Sequence, residues 1–205
     1  FIHRDSIITG INFKNIWNPD PVYEAQLGNS FIAAGVAIGD YNNDGLQDIF
    51  LSRQKDGGRL YRNLGGFQFY DATEEAGILS DVMWSTGVSF IDINNDGWLD
   101  LYVCGFDCPN KLYINDKGTF IESAKEYGLD YKGASVSMSF SDFDRDGDID
   151  AYLLTNRLES TDLTAKAKII NDKNRPLRVH PDSRELGYFV RPPGRVPILI
   201  NAGQY

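Results

Sequence analysis

One acidic pattern of nine residues occurs three times in this chain of 205 residues. Its copies read DYNNDGLQD, DINNDGWLD and DFDRDGDID, and they begin at Asp40, Asp92 and Asp142. The starting points are therefore 52 and 50 residues apart. A pattern that returns at a nearly constant interval predicts a chain built from successive copies of one supersecondary unit.

Each copy of the pattern stands between two stretches that have the apolar and β-branched content of strands. GVAI, GVSF and SMSF come before the three copies, and IFL, LYV and AYLL come after them. In the first two repeats a third stretch follows, LYRN and LYIN, and then a fourth after a glycine turn, FQF from Phe67 and GTF from Gly118. Four short strands in each interval of about 50 residues predict a β-propeller blade. We therefore expect an all-β fold of four-stranded antiparallel sheets, with about three blades in the chain.

The repeats also predict the domain boundaries. Residues 1–30 form a strand and loop of a preceding or closing blade, and the three repeats cover residues 31–80, 81–130 and 131–205. In the third repeat the counterpart of LYIN is ILIN, which follows an insertion at residues 156–197. That insertion is rich in Pro and holds nine basic and five acidic residues, a balance of +4. Because three blades cannot close a ring, we expect the chain to be a fragment of a larger propeller or a subunit of a larger assembly.

The acidic pattern has the composition of a cation-binding loop. Its alternate side chains carry oxygen, and its glycine permits the chain reversal that turns them towards one point. Clustered carboxylates repel one another unless a cation neutralises them. Calcium fits such a loop best, because it accepts six to eight oxygen ligands in loose geometry, and we expect one ion in each loop. The predicted side-chain ligands are Asp40, Asn42, Asp44, Asp48, Asp92, Asn94, Asp96, Asp100, Asp142, Asp144, Asp146 and Asp150, and the predicted main-chain ligands are the carbonyls of Leu46, Trp98 and Asp148.

Two other interpretations of the acidic pattern are weaker. An EF-hand has a bidentate Glu at position 12 of its loop, where this chain has Leu51, Val103 and Leu153. Ordinary turns of Asn, Asp and Gly with solvated charges would explain one copy. Three copies in the same register favour a metal site.

The net charge restricts the kinds of partner that this chain can bind. The chain has 29 acidic and 20 basic residues, which gives a formal charge of −9, and this disfavours binding to a phosphate backbone. No apolar run has the length of a membrane-spanning helix. We therefore expect neither a nucleic-acid partner nor a membrane span.

Cys104 and Cys108 stand four residues apart in the string CGFDC. No second Cys or His pair is nearby, so a structural zinc site lacks ligands. The sequence leaves two alternatives open, a local disulfide of the kind found in exported proteins and a pair of free thiols.

Together, the strings Gly-Val-x-x-x-Asp-x-Asn-x-Asp-Gly-x-x-Asp-Ile/Leu and Leu-Tyr-x-Asn resemble FG-GAP/VCBS repeats, as in integrin alpha-subunit propellers. Within that family the chain looks most like the bacterial ASPIC/UnbV and cartilage-acidic-protein-like group, over residues 31–155 and not in the insertion. The resemblance implies a ring of about seven blades, calcium in the acidic loops, and secretion or display on the cell surface. It also implies a role in adhesion and recognition.

From these observations we expect a noncatalytic, calcium-stabilised scaffold that is extracellular, on the cell surface or periplasmic. We expect its partner to be a protein or a glycan. The basic insertion is the predicted contact for an anionic partner, because long loops on rigid scaffolds often carry recognition. Its candidate residues are Arg175, Arg178, Arg184, Arg191 and Arg195.

The alternative function is a propeller-type polysaccharide lyase or hydrolase. Its acid and base groups would be His180, Asp182, Tyr188 and Arg191 of the insertion. The sequence has no nucleophile elbow, zinc-binding helix motif or phosphate-binding loop. We therefore predict that the chain is not an enzyme.

Overall fold

The computed structural model describes residues 3–15, 34–54, 57–78 and 83–156, and the main chain of four short strands within 169–202. The predicted N-terminal loop near residues 17–29 and most of the insertion lie outside the described residues. Within the described ranges nearly all regular structure is β-strand, which confirms the predicted all-β class.

The first repeat forms a four-stranded antiparallel sheet in which each strand pairs with the next along the chain. Its strands are β1 (Val36–Gly39), β2 (Asp48–Ser52), β3 (Gly58–Asn63) and β4 (Phe69–Asp71). The fourth strand begins later than the sequence indicated, because Phe67 belongs to the preceding turn and has a positive φ of 64°. The predicted blade is otherwise confirmed for this repeat.

The second repeat has the same connectivity. Its strands are β5 (Ser85–Ile91), β6 (Asp100–Pro109), β7 (Lys111–Asp116) and β8 (Thr119–Glu122). β6 is the longest of them, and its two halves have different partners. The first half pairs with β5 and β7, while the second half, from Phe106 onwards, pairs with the first strand of the third repeat.

The third repeat begins as the others do, with β9 (Lys132–Ser141) and β10 (Asp150–Asn156) paired antiparallel around the acidic pattern. Four further strands follow, β11 (Ile169–Ile170), β12 (Arg178–Val179), β13 (Gly187–Val190) and β14 (Ile198–Ala202). Because β9 also pairs with β6, the second and third repeats share one continuous sheet.

β14, the strand expected to act as the third strand of this repeat, does not run in the expected direction. β14 contains Asn201, the predicted counterpart of Asn115, and it lies beside β10 as expected. It runs parallel to β10, however, with Asn201 opposite Leu154. A tight hairpin enforces antiparallel pairing, whereas a connection as long as residues 157–197 lets a strand return in either direction. The expectation of antiparallel pairing is therefore wrong at this position.

The apolar core lies between successive repeats. One cluster joins Phe50 of the first repeat to Leu101 of the second, and another joins Tyr102 of the second repeat to Leu153 of the third. Leu101 and Tyr102 are neighbours on β6, whose successive side chains point to opposite faces of the sheet. All four side chains are fully buried, and each contributes about 1.5–3 kcal/mol to stability.

Glycines allow the first strands of neighbouring repeats to approach closely. A Cβ atom at Gly35 would lie 2.6 Å from the main-chain oxygen of Thr86, and one at Gly87 would overlap the main-chain oxygen of Val136. The main-chain N–H of Gly35 donates to that oxygen of Thr86 at 2.9 Å. Gly35 and Gly87 occupy the same position of the repeat, at the start of GVAI and GVSF. A glycine is needed there so that the first strands of neighbouring blades can pack closely.

Two helices of four residues complete the described part of the chain, α1 (Ser6–Thr9) and α2 (Ala124–Tyr127). Both are far shorter than the twenty or so residues of a membrane-spanning helix. Gly10, after α1, lies against the main-chain oxygen of Phe69, just as Gly77 lies against that of Phe120. Residues 3–15 therefore pack on the first repeat in the way that the end of the first repeat packs on the second.

Candidate metal centre

The three acidic patterns form loops at equivalent places in the fold. Loop 1 is residues 40–48, loop 2 is residues 92–100 and loop 3 is residues 142–150. Each loop connects the first strand of its repeat to the second. Strands on both sides of each loop exclude the helix-flanked EF-hand.

Loop 1 is folded by hydrogen bonds between its side chains and its own main chain. The carboxylate of Asp40 accepts from the N–H groups of Asp44 and Gly45 at 3.1 and 2.8 Å. Asn42 Oδ1 accepts from the same Asp44 N–H at 3.2 Å. Asp44 Oδ1 in turn accepts from the N–H of Leu46 at 2.8 Å. These bonds wrap the main chain around the side-chain oxygens of the first, third and fifth residues.

Loops 2 and 3 repeat the same four hydrogen bonds. Their lengths are 3.0, 2.9, 3.1 and 2.8 Å in loop 2 and 3.1, 3.1, 3.2 and 2.9 Å in loop 3. The fourth and sixth residues of every loop have positive φ. The sixth is always Gly, while the fourth is Asn43, Asn95 or Arg145. Asn adopts this left-handed conformation readily, and Arg does so at a cost.

The side-chain oxygens at the first, third and fifth positions converge in loop 3. In loop 3, Asp142, Asp144 and Asp146 each offer a carboxylate oxygen, and the three atoms lie within 4.8 Å of one another. In loops 1 and 2 the third residue is Asn, whose Nδ2 donates to the fifth carboxylate at 2.9 Å in both loops. Carboxylate and amide oxygens are the ligands of hard divalent cations. The donor set therefore fits calcium chemically.

The last aspartate of each loop ties the loop to the rest of its sheet. Asp48 is fully buried, and its two carboxylate oxygens accept from the N–H of Asn63 at 2.7 Å and the N–H of Tyr41 at 3.2 Å. Asp100 makes the same two bonds, at 2.8 and 3.0 Å. Each carboxylate oxygen has two lone pairs, so these bonds leave room for a metal. The sequence predicts a ligand at this position, whereas the role of the same carboxylate in joining the loop to the third strand becomes visible only in the fold.

Burial raises the pKa of both Asp48 and Asp100 to about 6. Desolvation is the main cause, and the charges of the neighbouring loop aspartates raise the pKa further, against the effect of the two N–H donors. Asp150 of loop 3 accepts a matching bond from the N–H of Phe143 at 3.0 Å. Negative charge is thus concentrated at each loop, and a bound cation would offset it.

Loops 1 and 2 are also connected to each other. Asn43 Nδ2 in loop 1 donates to the main-chain oxygen of Gly97 in loop 2 at 3.2 Å. Asn115 Nδ2, from β7, donates both to the oxygen of Tyr41 in loop 1 at 2.8 Å and to that of Leu99 in loop 2 at 2.9 Å. In the sequence, Asn115 only marks the third strand of its repeat. Its constant distance from the loop in two repeats was the signal that could have marked it as part of the site.

The residues predicted to bind a partner are mostly outside the described part of the chain. Only the main chain of Arg178 is described, in β12. The other four, Arg175, Arg184, Arg191 and Arg195, lie outside the described residues. Of the groups named for the enzyme alternative, only the main chain of Tyr188 is described, in β13, and His180 and Asp182 lie outside.

Cys104 and Cys108, for which the sequence leaves a disulfide and free thiols open, are free thiols in the structure. A bulge separates them, because Asp107 has a positive φ of 55° and the pairing of β6 with β9 shifts register there. The bulge turns Cys104 towards the cluster around Tyr102 and Cys108 towards the cluster on the opposite face. The two sulfur atoms therefore pack on different sides of the sheet.

The chain is similar to cartilage acidic protein 1 of several vertebrates. It is 27% identical to the Mus musculus protein and 28% identical to the Homo sapiens protein, each over 95 residues or 46% of this chain. It is 25% identical to the Xenopus tropicalis protein over 134 residues, or 62% of this chain. These matches span only 15%, 14% and 21% of the relatives' own lengths.

The family of FG-GAP-like repeats matches residues 40–103 and 92–153. Each matched stretch runs from the first residue of one loop to the second strand of the next repeat. Together the two stretches include all three acidic loops and cover more than half of the chain. The chain therefore belongs to the FG-GAP-like repeat family, and its sheets are propeller blades.

Proposed function

We propose that this chain is part of a noncatalytic extracellular scaffold whose acidic loops bind calcium and whose surface recognises a protein or a glycan. The observation that carries the proposal is the hydrogen-bond pattern shared by the three loops. In that pattern the side-chain oxygens of the first, third and fifth residues of each copy accept hydrogen bonds from the main chain of their own loop. Independent turns with solvated charges would not need to keep the same bonds.

In each loop the ion would be held by the side chains at the first, third, fifth and ninth positions and by the carbonyl of the seventh residue. This set offers only hard oxygen ligands, which suits calcium. A bound ion would neutralise carboxylates that otherwise repel each other inside the loop. It would also stabilise the blades, because a ligand that binds the folded state shifts the unfolding equilibrium by mass action.

The extracellular location rests on the relatives. They are named as cartilage proteins, and their matches lie in the same repeats that carry the acidic loops. Millimolar calcium is available outside cells, where even loops of modest affinity would be occupied. A structural role for calcium is therefore consistent with this location.

The test is thermal unfolding of the protein after chelation, with calcium or magnesium added back. We expect calcium to raise the melting temperature, and magnesium to raise it less, because magnesium demands a stricter geometry. Asp96→Asn should remove part of the calcium effect. Asp116→Asn is the matched control, since Asp116 is exposed on β7 outside the loops. A melting temperature that does not respond to calcium would contradict the proposal.

The basic insertion is the proposed contact for an anionic partner. Its balance of +4 stands against a chain total of −9, so it differs in charge from the rest of the chain. Binding to an immobilised sulfated glycan and to a neutral one, before and after deletion of residues 158–195, tests this contact. We expect binding only to the sulfated glycan, with loss on deletion and on addition of salt. Binding that survives the deletion would place the contact elsewhere.

A further inference from the structure

We propose that loops 1 and 2 bind calcium as a coupled pair, with Asn43 and Asn115 as the residues that couple them. The inference rests on the proposed calcium function and concerns the regulation of the same site. Occupancy of one loop would raise the affinity of the other. Such coupling needs a physical connection between the two sites, and the described residues provide two.

The first connection runs through Asn43, the fourth residue of loop 1. Its sequence neighbours, Asn42 and Asp44, are both predicted ligands, so ordering them around an ion also fixes the peptide of Asn43. The side-chain amide of Asn43 donates to the main-chain oxygen of Gly97 at 3.2 Å. Gly97 precedes Trp98, whose carbonyl is the predicted main-chain ligand of loop 2. One hydrogen bond thus joins the ligand-bearing turns of the two loops.

The second connection is Asn115, whose side chain is 1% exposed. Its Nδ2 donates to Tyr41 of loop 1 and to Leu99 of loop 2, and its Oδ1 accepts from the N–H of Gly118 at 2.7 Å. Its own N–H donates to Asp100 Oδ1 at 2.8 Å, and Asp100 is the ninth residue of loop 2. A buried amide held at both ends has little freedom to adjust. A shift of either loop therefore changes the hydrogen bonds that hold the other.

Electrostatics oppose this coupling. Neutralising loop 1 weakens the negative field that attracts a cation to loop 2, and two bound ions repel each other. Salt screens such effects over about 8 Å at physiological ionic strength, whereas a direct hydrogen bond is not screened in this way. We therefore expect net positive coupling at physiological salt, and stronger coupling when the salt concentration is raised.

Loops 2 and 3 supply a matched comparison with loops 1 and 2. Asn95 has the same place in loop 2 as Asn43 has in loop 1, and the same left-handed conformation, with φ values of 58° and 56°. Among the described residues, Asn95 makes no side-chain hydrogen bond to loop 3. The corresponding residue of loop 3 is Arg145. The amide bridge between loops 1 and 2 is thus not repeated by Asn95.

The test uses terbium, which occupies oxygen-rich calcium sites and emits light when a nearby tryptophan is excited. Trp98 belongs to loop 2, so emission reports on that loop, and loss of signal in Trp98→Phe verifies its origin. Terbium titration of the wild type is compared with Asp44→Asn, which weakens loop 1. We expect loop 2 to bind terbium about five-fold more weakly in that variant.

Asn43→Gly separates the bridge from the ligands, because glycine accepts the positive φ and removes only the side-chain amide. We expect a similar weakening of loop 2, with no change in the melting temperature of the chelated protein, since Asn43 is exposed. Asp146→Asn in loop 3 is the matched control for Asp44→Asn, and we expect it to leave the affinity of loop 2 unchanged.

The outcomes separate the two proposals. Absence of terbium emission together with calcium-independent melting would contradict calcium binding itself. Binding to loop 2 with unchanged affinity in both Asp44→Asn and Asn43→Gly would overturn the coupling alone. If Asp146→Asn weakened terbium binding to loop 2 equally, the coupling would also be overturned. The effect would then come from the overall electrostatic field of the acidic loops.

Discussion

The side-chain amide of Asn115 lies 2.8 Å from the main-chain oxygen of Tyr41, a residue 74 positions earlier in the chain. In the first repeat the same place is taken by Asn63, whose Nδ2 donates at 2.9 Å to the main-chain oxygen of Gln47 in its own loop. Asn63 therefore stabilises one repeat, whereas Asn115 joins two. The Asn of the Leu-Tyr-x-Asn string thus makes a local contact in the first repeat and a long-range contact in the second.

Asn115→Ala should lower the free energy of unfolding by about 2–4 kcal/mol, because the buried main-chain oxygen of Tyr41 and the partly buried one of Leu99 lose their donor. Asn63→Ala should cost about 1 kcal/mol, since Asn63 is more exposed and its Nδ2 has one described acceptor. Urea unfolding of the calcium-free proteins measures both values. Equal losses in the two variants would mean that the link between repeats adds nothing to stability.

Gly87→Ala should destabilise the protein by more than about 2 kcal/mol, because the new methyl group overlaps the main-chain oxygen of Val136. Gly97→Ala is the control, since its Cβ has open space and only the positive φ of 87° is unfavourable. We expect the control to cost about 1 kcal/mol. Denaturant titration of both variants tests the prediction, and a milder effect at Gly87 would refute close packing of β5 against β9.

Arg145→Asn should raise stability by about 0.5–1 kcal/mol, because Asn tolerates the φ of 62° found at this position. The reverse change, Asn95→Arg, should lower stability by a similar amount at the equivalent place in loop 2. Thermal unfolding without calcium and at high salt separates this conformational effect from metal binding and from the change of charge. The prediction fails if both changes shift the melting temperature in the same direction.

Neither cysteine should react readily with a thiol reagent while the protein is folded. Burial raises the pKa of Cys104 to about 12, and burial also raises the pKa of Cys108, so little thiolate is present at neutral pH. Because the folded-state pKa values are high, reactivity should remain low through mildly alkaline pH. Mass spectrometry after alkylation, with and without denaturant, should show two labels only on unfolding. A native mass that corresponds to an internal disulfide would contradict the structure.

Ile38→Asp should destabilise the complete protein if another blade covers β1, as the expected larger ring requires. Ile38 is 62% exposed in this chain, although its counterpart Phe90 packs into the cluster between the first two repeats. Ile121→Asp is the control, because Ile121 is 56% exposed on the outer strand β8. We expect the change at Ile38 to cost about 1–3 kcal/mol more than the control. Similar melting temperatures for the two variants would argue that no blade covers β1.

Much of the blade could be predicted from the sequence because its signals are local. The acidic patterns mark the turns between first and second strands, and their spacing marks the repeat. Both kinds of signal involve residues close together in the chain. The start of β4 was misplaced because Phe67 looks like a strand residue, and only its backbone conformation assigns it to the turn.

The sequence by itself determined the all-β blades, the three equivalent loops and the oxygen chemistry of each loop. Only the tertiary structure decided how these parts meet: the amide of Asn115 between two loops, the opposite orientations of Cys104 and Cys108, and the parallel direction of β14. The physical reason is the range of the interactions. Strand and turn preferences act over a few neighbouring residues, whereas these contacts depend on a bulge, on a long connection and on how one sheet packs against the next.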